Sequence, residues 1–520
     1  MGLRRRRGSR RGRAARGGAA ALALFLSAAA LSTWPALRDG DDAFLARAEA
    51  TRAGDHLQTG WHLWLIGHRL GDAEAPWRDS YSFRPEADEQ VVFGGWLLGL
   101  PYWPLEAALG PVVAWNVLVV ASIALAGLAA WAWLGAYGLG GRGALVGGLV
   151  YALAPYLAAQ RAMGHLLGLI AFLLPLALWA VERRRPWLAA AALAAIPLSG
   201  QTHLALGAIP LVLAYALVRR RAVRGALAGA AASVAAGVLV REASIEGSIN
   251  EGGRSLRAIN FFSADWQDFL AREPRHDLEQ FVFSGWLVPA LAAAGAVLLW
   301  RRGRGLLAAV LGLAVVVPVL LAFGTNLPLY ELVYDALPPF RYPRVPERLL
   351  PVAALALAGL GAVAADRIRR PALVALLAVA VAVDLRAELF EPAPAPALYA
   401  ALPPGRLLEL PVFTPERHFG SVYLHAVRDV PRERPGGYST VAPLAADRVA
   451  RTLRPLNCGR WNVPRGQLLE RLGVRTIAVW SELYGARDPA RCAAIAEREL
   501  RRHGWRLLRR DGAVSLYESG

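Results

Sequence analysis

The sequence predicts a polytopic α-helical membrane protein of about eleven transmembrane helices, followed by a C-terminal extracytoplasmic α/β domain. Hydrophobic residues make up 55 % of the 520 residues and charged residues 19 %, against roughly 45–50 % and 25 % in soluble domains. The apolar residues stand in long blocks, and about 20 such residues span a bilayer as a helix. Between the blocks, the excess of arginine falls in every second loop, as is expected of the loops on one side of a membrane.

The formal charge of +18 is carried by arginine alone, because the sequence contains no lysine. A basic chain is typical of nucleic-acid binding, but these arginines are spread over the loops between apolar blocks and over the tail. We therefore expect no nucleic-acid partner. The absence of lysine excludes a P-loop nucleotide site, whose lysine contacts the phosphates.

The candidate spans begin with a block that follows eight arginines between Arg4 and Arg16. This first block is too long for the apolar part of a secretory signal, and Trp34-Pro35 stands where small residues would precede cleavage. An uncleaved signal anchor is favoured. The eleven spans are Gly17–Leu37, Pro111–Tyr137, Gly143–Ala159, Gly164–Val181, Trp187–Ser199, His203–Val218, Arg224–Val240, Ser284–Trp300, Gly305–Phe323, Leu349–Ala364 and Pro371–Leu389.

Arginine sidedness predicts the topology, because cytoplasmic loops carry the excess of arginine. Residues 1–16 form an Arg-rich cytoplasmic tail, and every even-numbered loop contains arginine. The first outer loop, 38–92, has six arginines against eleven acidic residues. This alternation of inner and outer loops is kept only if Val91–Leu109 is an interfacial or re-entrant helix and does not cross the membrane. The transmembrane domain then covers 17–390, including this loop.

The tail from 391 to 520 opens with a Pro-rich linker and then alternates strand-like with helix-like runs. Strands are predicted at Leu407–Val412, Thr476–Trp480 and Val514–Tyr517, and helices at Ala446–Leu453 and Pro489–His503. An odd number of spans places this α/β domain outside the cytoplasm. Its two cysteines, Cys458 and Cys492, are the only ones in the chain, and whether they pair stays open at this point.

The acidic first loop contains the candidate catalytic residue, Asp55. The stretch His56–Leu70 has the spacing of an amphipathic helix lying on the membrane, with Asp55 at its start. Asp55 can be a helix cap, or a general base toward an acceptor hydroxyl as well. His56, His62 and His68 are six residues apart and do not share a helical face, so no histidine metal site is expected.

Three arginines, Arg341, Arg344 and Arg348, stand at the outer end of a span, where topology does not favour cations. They can extend toward lipid head groups or clamp a phosphate. We favour the clamp, with Glu347 orienting an arginine. His165, at the start of an apolar helix, is a candidate cavity-lining residue.

At these residues the chain resembles the GT-C superfamily of integral-membrane glycosyltransferases, and in particular a bacterial GT-C-like branch. Two segments depart from the pattern: His56 stands where proline is usual, and Phe93-Gly94-Gly95-Trp96 stands where many relatives have Glu-His. The resemblance rests on Gly54-Asp55-His56-Leu57 with Trp61 and Trp64, Ser82-Phe83-Arg84-Pro85-Glu86, Ala154-Pro155-Tyr156, Gly164-His165-Leu166, Phe323-Gly324 with Leu327-Pro328-Leu329, Arg344-Val345-Pro346-Glu347-Arg348 and Leu472-Gly473-Val474-Arg475.

The resemblance implies an enzyme of the bacterial plasma membrane that takes a sugar from a polyprenyl-phosphate donor and transfers it to an extracytoplasmic glycan, lipid or protein acceptor in cell-envelope assembly. Asp55 then corresponds to the residue that acts as the base or helps position the acceptor. Arg344 and Arg348 correspond to ligands of the lipid phosphate, and Arg341, His165 and His56 are further candidate substrate contacts. No organic cofactor is expected, and a divalent metal is left open.

Two other functions fit the sequence less well. A transporter of lipid-linked glycans would carry polar or broken helices at the midplane, whereas these spans are mostly Ala, Leu and Val. A non-catalytic scaffold that binds a partner through its outer domain is compatible with every feature above.

Overall fold

The computed structural model describes residues 2–48, 52–87, 90–484 and 489–520. Residues 49–51 and 88–89 of the predicted outer loop lie outside this part of the chain. The helices are α1 (Gly2–Ser32), α2 (Asp55–Gly71), α3 (Trp96–Tyr137), α4 (Gly141–Ala152), α5 (Pro155–Ala162), α6 (Leu166–Leu169), α7 (Leu173–Glu182), α8 (Pro186–Leu198), α9 (Thr202–Arg219), α10 (Val223–Val240), α11 (Leu256–Asn260), α12 (Leu287–Arg301), α13 (Gly305–Ala322), α14 (Pro328–Ala336), α15 (Leu350–Ala365), α16 (Pro371–Asp384), α17 (Ser421–Ala426), α18 (Leu444–Leu453), α19 (Val463–Arg471) and α20 (Pro489–Arg502).

The strands are short and lie between or after these helices: β1 (Ala43–Ala46), β2 (Arg78–Asp79), β3 (Gln90–Val91), β4 (Glu391–Pro394), β5 (Arg406–Leu410), β6 (Val474–Trp480), β7 (Trp505–Asp511) and β8 (Val514–Ser519). The described chain forms two compact units. Unit 1 contains residues 1–41, 113–238 and 253–392. Unit 2 contains residues 42–112, 239–252 and 393–520.

Unit 1 is a bundle of apolar helices around α15. This helix is buried along nearly its whole length and packs against α4, α12 and α13. At Gly295 of α12, an added Cβ would lie 1.9 Å from the carbonyl oxygen of Leu360. Only glycine permits this close approach of two helix backbones, as is common between membrane helices.

The helices confirm a multi-pass membrane protein. Among the described residues, five are long and apolar enough to cross a bilayer, or six if the bent pair α4 and α5 counts as one span, and further apolar helices are shorter. Large apolar side chains on several helices are exposed on the protein surface, such as Leu217, Leu306 and Leu376. Such exposure is expected of side chains that face lipid. Each predicted span coincides with helical structure, but the number of eleven crossings and their sidedness stay predictions.

The segment predicted as a separate interfacial helix, Val91–Leu109, is mostly the first part of α3. The helix is interrupted at Gly110, whose φ of 77° and ψ of 168° are not helical. Pro111 follows and cannot donate a backbone hydrogen bond. The break therefore lies where the sequence separated this segment from the next span.

Unit 2 contains the tail's four-stranded sheet, in the order β5-β6-β8-β7. β5 and β6 are parallel, and the pairs β6–β8 and β7–β8 are antiparallel. The core lies between the sheet and helices α18, α19 and α20, and includes Leu453, Leu472 and Ile477. Cys458 and Cys492 form a disulfide, with their Cα atoms 4.4 Å apart, which resolves the alternative left open by the sequence.

The predicted strands and helices of the tail are confirmed, and four elements are additional: the short strand β4, the helices α17 and α19, and the edge strand β7. Unit 2 also takes in residues 42–112, which the sequence partition assigned to the transmembrane domain.

Helix α2 exists as predicted, but Leu57, Trp61 and Leu65 are buried in the protein. Their burial contradicts the expectation that this apolar face lies on the membrane.

Candidate functional site

Asp55 is held by a tyrosine from the far end of the sequence. The hydroxyl of Tyr438 donates a hydrogen bond of 2.5 Å to Oδ1 of Asp55. The side-chain amide of Gln58, one turn along α2, donates to the backbone carbonyl of Tyr438 at 2.8 Å. The Asp55 carboxylate is thus fixed at the N-terminus of α2, where the helix dipole favours a negative charge.

The cap role that the sequence suggested for Asp55 is wrong, because Gly54 occupies the capping position and no side chain caps the helix. Asp55 is the first helical residue. The backbone N–H of Gly54 instead donates to the hydroxyl of Ser421 at 3.2 Å. The start of α2 is therefore anchored on both sides of Asp55 by residues of the tail.

His56 is a buried packing residue beside Asp55. Its ring lies 5.3 Å from that of Phe44, which also contacts His425 at 5.7 Å. Burial, together with the nearby His425, lowers the pKa of His56 to about 3, although Asp55 acts in the opposite direction. An added Cβ at Gly54 would lie 2.6 Å from Nδ1 of His56, so this ring requires glycine before Asp55.

A buried arginine joins loop one to the tail behind this site. The guanidinium of Arg434 donates to Glu409 at 3.3 Å and to the carbonyl of Tyr423 at 2.8 Å. It also lies 5.4 Å from the centre of the Trp61 ring. Because Trp61 belongs to α2, the pair of Arg434 and Glu409 supports the helix that carries Asp55.

In unit 1, the predicted phosphate ligand Arg348 is held by Glu279, a residue that the sequence did not single out. Nη2 of Arg348 lies 2.5 Å from Oε1 of Glu279, and Gln160 donates to Oε2 at 2.9 Å. His165 completes the group, with Nδ1 2.9 Å from Gln160 Oε1 and 3.6 Å from Glu279 Oε1. Burial raises the pKa of Glu279, but Arg348 and His165 lower it more, to about 2.

The other two arginines have different surroundings. Arg341 donates to the carbonyls of Tyr334 and Asp335, both at 3.1 Å. It therefore satisfies carbonyls at the end of α14 and serves the fold, as helix C-termini require. Arg344 lies 4.6 Å above the Phe262 ring and has no ion pair among the described residues.

Two further groups near Arg348 were not predicted as site residues. Arg254 and Arg344, together with Arg348 and Glu279, act electrostatically on the ring of His203. The buried hydroxyl of Tyr156 has no hydrogen-bond partner among the described residues. Tyr156 also lines a cavity of about 490 Å³, whose other lining residues are apolar apart from Ser284 and include Phe283, Leu350 and Leu357.

Among the described residues, one group could hold a metal ion by distance: Asp265, Asp268 and His276 have ligand atoms within 4.8 Å of one another. Arg275 already bonds both carboxylates, at 2.9 and 3.2 Å. Backbone N–H groups of Gln267 and Asp268 also donate to Asp265. This donor set suits an arginine-bridged turn better than a dedicated metal site, because a cation would have to displace Arg275.

Comparison with solved structures identifies the fold. The chain matches the arabinofuranosyltransferase AftD from Mycobacteria with a TM-score of 0.59 and 18 % identity, over 97 % of this chain and 40 % of AftD. An oligosaccharyltransferase from Archaeoglobus fulgidus matches with a TM-score of 0.49 and 10 % identity, over 88 % and 70 % of the two chains. AglB from the same archaeon, in complex with an inhibitory peptide and a dolichol-phosphate, matches at 0.42 and 13 %, over 96 % and 74 %.

The likeness to AftD confirms the GT-C fold, the fold of a superfamily of membrane glycosyltransferases, as the sequence resemblance implies. The chain spans about two fifths of the length of AftD. No protein-family model matches the sequence, and a search of curated proteins found no match. The likeness to AftD therefore shows the fold. The roles of single residues stay predictions.

The predicted site residues are divided between the two units. Asp55 and His56 lie in unit 2, and His165, Arg341, Arg344 and Arg348 lie in unit 1. Within unit 1 the structure brings His165 and Arg348 together on Glu279. Within unit 2 it brings Asp55 to Tyr438, a pairing that no local sequence signal contains.

Proposed function

We propose that this protein is a glycosyltransferase that moves a sugar from a polyprenyl-phosphate-linked donor to an extracytoplasmic acceptor in cell-envelope glycan assembly at the bacterial plasma membrane. The observation that carries the proposal is the carboxylate of Asp55, fixed by Tyr438 at the start of α2 in a chain with the GT-C fold. A general base must be held in one orientation to remove a proton in the transition state.

In the proposed step, Asp55 takes the proton from an acceptor hydroxyl as its oxygen attacks the anomeric carbon of the donor sugar. The new bond joins this oxygen to the anomeric carbon, and the bond from that carbon to the phosphate oxygen breaks. The electron pair leaves with the polyprenyl phosphate. A single displacement of this kind inverts the anomeric centre.

The donor phosphate is assigned to Arg344 and Arg348, whose planar guanidinium groups suit phosphate oxygens. Arg344 has no competing ion pair among the described residues, and Glu279 orients Arg348. Tyr156 connects this group with the apolar cavity of unit 1, which has the chemistry required by an isoprenoid chain. His165 would act through Glu279 and Gln160.

A known protein of similar fold supports this assignment in kind, because AftD is an arabinofuranosyltransferase. The sugar, the length of the carrier and the acceptor of the present protein are not carried over from it.

The test is donor-dependent transfer by the purified protein in lipid nanodiscs, with polyprenyl-phosphate sugars as donors and envelope glycan fragments as acceptors. Asp55→Asn should abolish transfer while the protein stays folded. Asp42→Asn is the matched control, because Asp42 is an exposed acid of the same loop. Transfer by Asp55→Asn at the wild-type rate would exclude Asp55 as the base.

The same preparation separates the other two functions. Movement of a lipid-linked glycan across sealed vesicles, without glycosyl transfer, would establish a transporter. Neither transfer nor movement with the donors tried, together with stable capture of an envelope protein, would favour a scaffold.

A further inference from the structure

A second cavity, of about 360 Å³, lies in the α/β part of unit 2. It is framed by the residues that follow β5, by α17, by residues 435–437 and by α18. This volume includes the open solvent at its mouth, and the enclosed space is small. It opens at the carboxyl end of β5, a strand that pairs in parallel with β6, and ligands of open α/β sheets commonly bind beyond the carboxyl ends of parallel strands.

One buried carboxylate lines this cavity. Glu409 is 3 % exposed, and its Oε1 accepts from Arg434 at 3.3 Å. Its other oxygen, Oε2, lies on the side of Gly436, 3.7 Å from the place where a Cβ of that residue would stand. Since Gly436 also lines the cavity, Glu409 offers a hydrogen-bond acceptor to a ligand there.

Aromatic rings form another wall. The rings of Phe413 and Tyr423, both lining residues, are stacked with centres 5.8 Å apart, and Phe419 lies 5.4 Å from Phe413. The Tyr423 hydroxyl donates to the carbonyl of Pro411 at 3.0 Å, so its ring is fixed in place. A sugar ring presents C–H groups that can cover an aromatic face and hydroxyl groups that can donate to a carboxylate.

The cavity shares its wall with the residues that hold Asp55. Gly420 and Gly437 line it, and their chain neighbours Ser421 and Tyr438 bond Gly54 and Asp55. A Cβ on Gly420 would lie 3.2 Å from both the Gly437 carbonyl oxygen and Cβ of Tyr438. The two glycines therefore pack directly against each other between the cavity and the start of α2.

We propose that this cavity is an acceptor subsite, which binds a neutral, hydroxyl-bearing sugar residue of a glycan acceptor through Glu409 and the ring of Phe413. The inference rests on the proposed function and assigns a glycan as its acceptor. An acidic sugar is disfavoured, because the nearby cation, Arg434, is already bonded to Glu409. A peptide, whose backbone N–H groups could also donate to Glu409, is distinguished from a glycan by the test below.

Gly436 permits a test that leaves the ion pair intact. A Cβ at this position would meet only Glu409 Oε2, at an ordinary contact distance, and the backbone of Gly436 is not in the left-handed region. Gly436→Leu should therefore fill the cavity without straining the chain, and Gly436→Ala is its matched control. Glu409→Gln and Phe413→Ala remove the two proposed contacts, with the exposed Glu470→Gln as the control for charge.

The measurement is saturation-transfer NMR of the full chain in nanodiscs, with methyl glycosides of neutral hexoses and pentoses as probes and a methyl glycoside of a uronic acid and a Ser/Thr peptide for comparison. We expect wild type, Gly436→Ala, Glu470→Gln and Asp55→Asn to bind a neutral glycoside. Gly436→Leu, Glu409→Gln and Phe413→Ala should weaken binding at least tenfold. In the transfer assay they should raise the acceptor KM by a similar factor, with the donor KM unchanged.

Three results would overturn the subsite: no neutral glycoside binds the wild type, Gly436→Leu binds as tightly as Gly436→Ala, or the peptide or uronic acid binds in preference. Thermal unfolding of every variant separates loss of binding from loss of fold. Glycoside binding without any transfer would reject the proposed reaction and leave the sugar site standing. Transfer that is insensitive to Gly436→Leu would reject the site alone.

Discussion

The hydroxyl of Tyr438 and the carboxylate of Asp55 are joined by a hydrogen bond of 2.5 Å, although 383 residues separate them in the chain. The bond fixes one carboxylate oxygen of the proposed base. It also makes the base depend on the loop that carries Gly436 and Gly437, because Tyr438 follows that loop directly. Tyr438 is thus a positioning residue for Asp55.

Tyr438→Phe should lower kcat for transfer by about 10–100-fold, the usual effect of losing a group that orients a functional side chain. The donor KM should change little, because the phosphate ligands lie elsewhere in the chain. Tyr517→Phe, at a buried tyrosine of β8, is the control. An unchanged kcat would show that Tyr438 is structural only.

Arg344 and Arg341 differ in role, and their variants should differ in the same way. Arg344→Lys keeps the charge but loses the planar fork, so the donor KM should rise about tenfold with a smaller change in kcat. Arg341→Ala should lower the free energy of unfolding by about 1–3 kcal/mol through the carbonyls it leaves, with the donor KM unchanged. The reverse pattern in steady-state kinetics and denaturant unfolding would place the phosphate on Arg341.

Acid should destabilise unit 2 through several histidines, of which His56 and His425 are the most deeply buried. Burial lowers the pKa of His56 to about 3 and that of His425 to about 4, from 6.5 in the unfolded chain. Below pH 6.5 the unfolded chain binds protons that the folded unit does not, so the free energy of unfolding should fall from about pH 6.5 down to about pH 3–4. Tryptophan fluorescence during denaturation measures this slope. His425→Phe should make it shallower, and an equal slope in this variant would contradict the assignment.

The disulfide between Cys458 and Cys492 closes a loop over a sequence separation of 34 residues. Cross-linking a loop of this size stabilises the folded state by about 3–4 kcal/mol in the chain-entropy description. Reduction, or the double change Cys458→Ser and Cys492→Ser, should lower the stability of unit 2 by about that amount. The double variant should be insensitive to reductant. Thiol titration of the unreduced, denatured protein checks the pairing and should detect no free thiol.

The membrane helices were predictable because a bilayer imposes long apolar runs that are visible in the sequence. The strands β5, β6 and β8 were predictable because most of their buried residues are apolar, such as Leu408, Ile477 and Leu516. The edge strand β7 was missed because Arg506, Arg509 and Arg510 obscure the apolar pattern, and an edge strand tolerates such charges.

The partners of the candidate site were not predictable, because they come from distant parts of the chain. Glu279 meets Arg348 across 69 residues and Gln160 across 119, and Tyr438 meets Asp55 across 383. Local patterns correctly placed Asp55 at the start of a helix. They suggested a cap for it because capping is the local use of aspartate, whereas the fold supplies a distant tyrosine.

Unit 2 is assembled from three stretches of sequence, and this imposes an order on its biogenesis. Residues 42–112 leave the ribosome about 280 residues before the stretch that begins at residue 393. At about 5–20 residues per second, the early stretch waits for roughly 15–60 s. During this time Asp55 has no Tyr438 and Trp61 has no Arg434, so apolar surface of α2 stays uncovered. Newly made chains should therefore depend, until synthesis ends, on a holding chaperone on the side of the membrane where unit 2 folds.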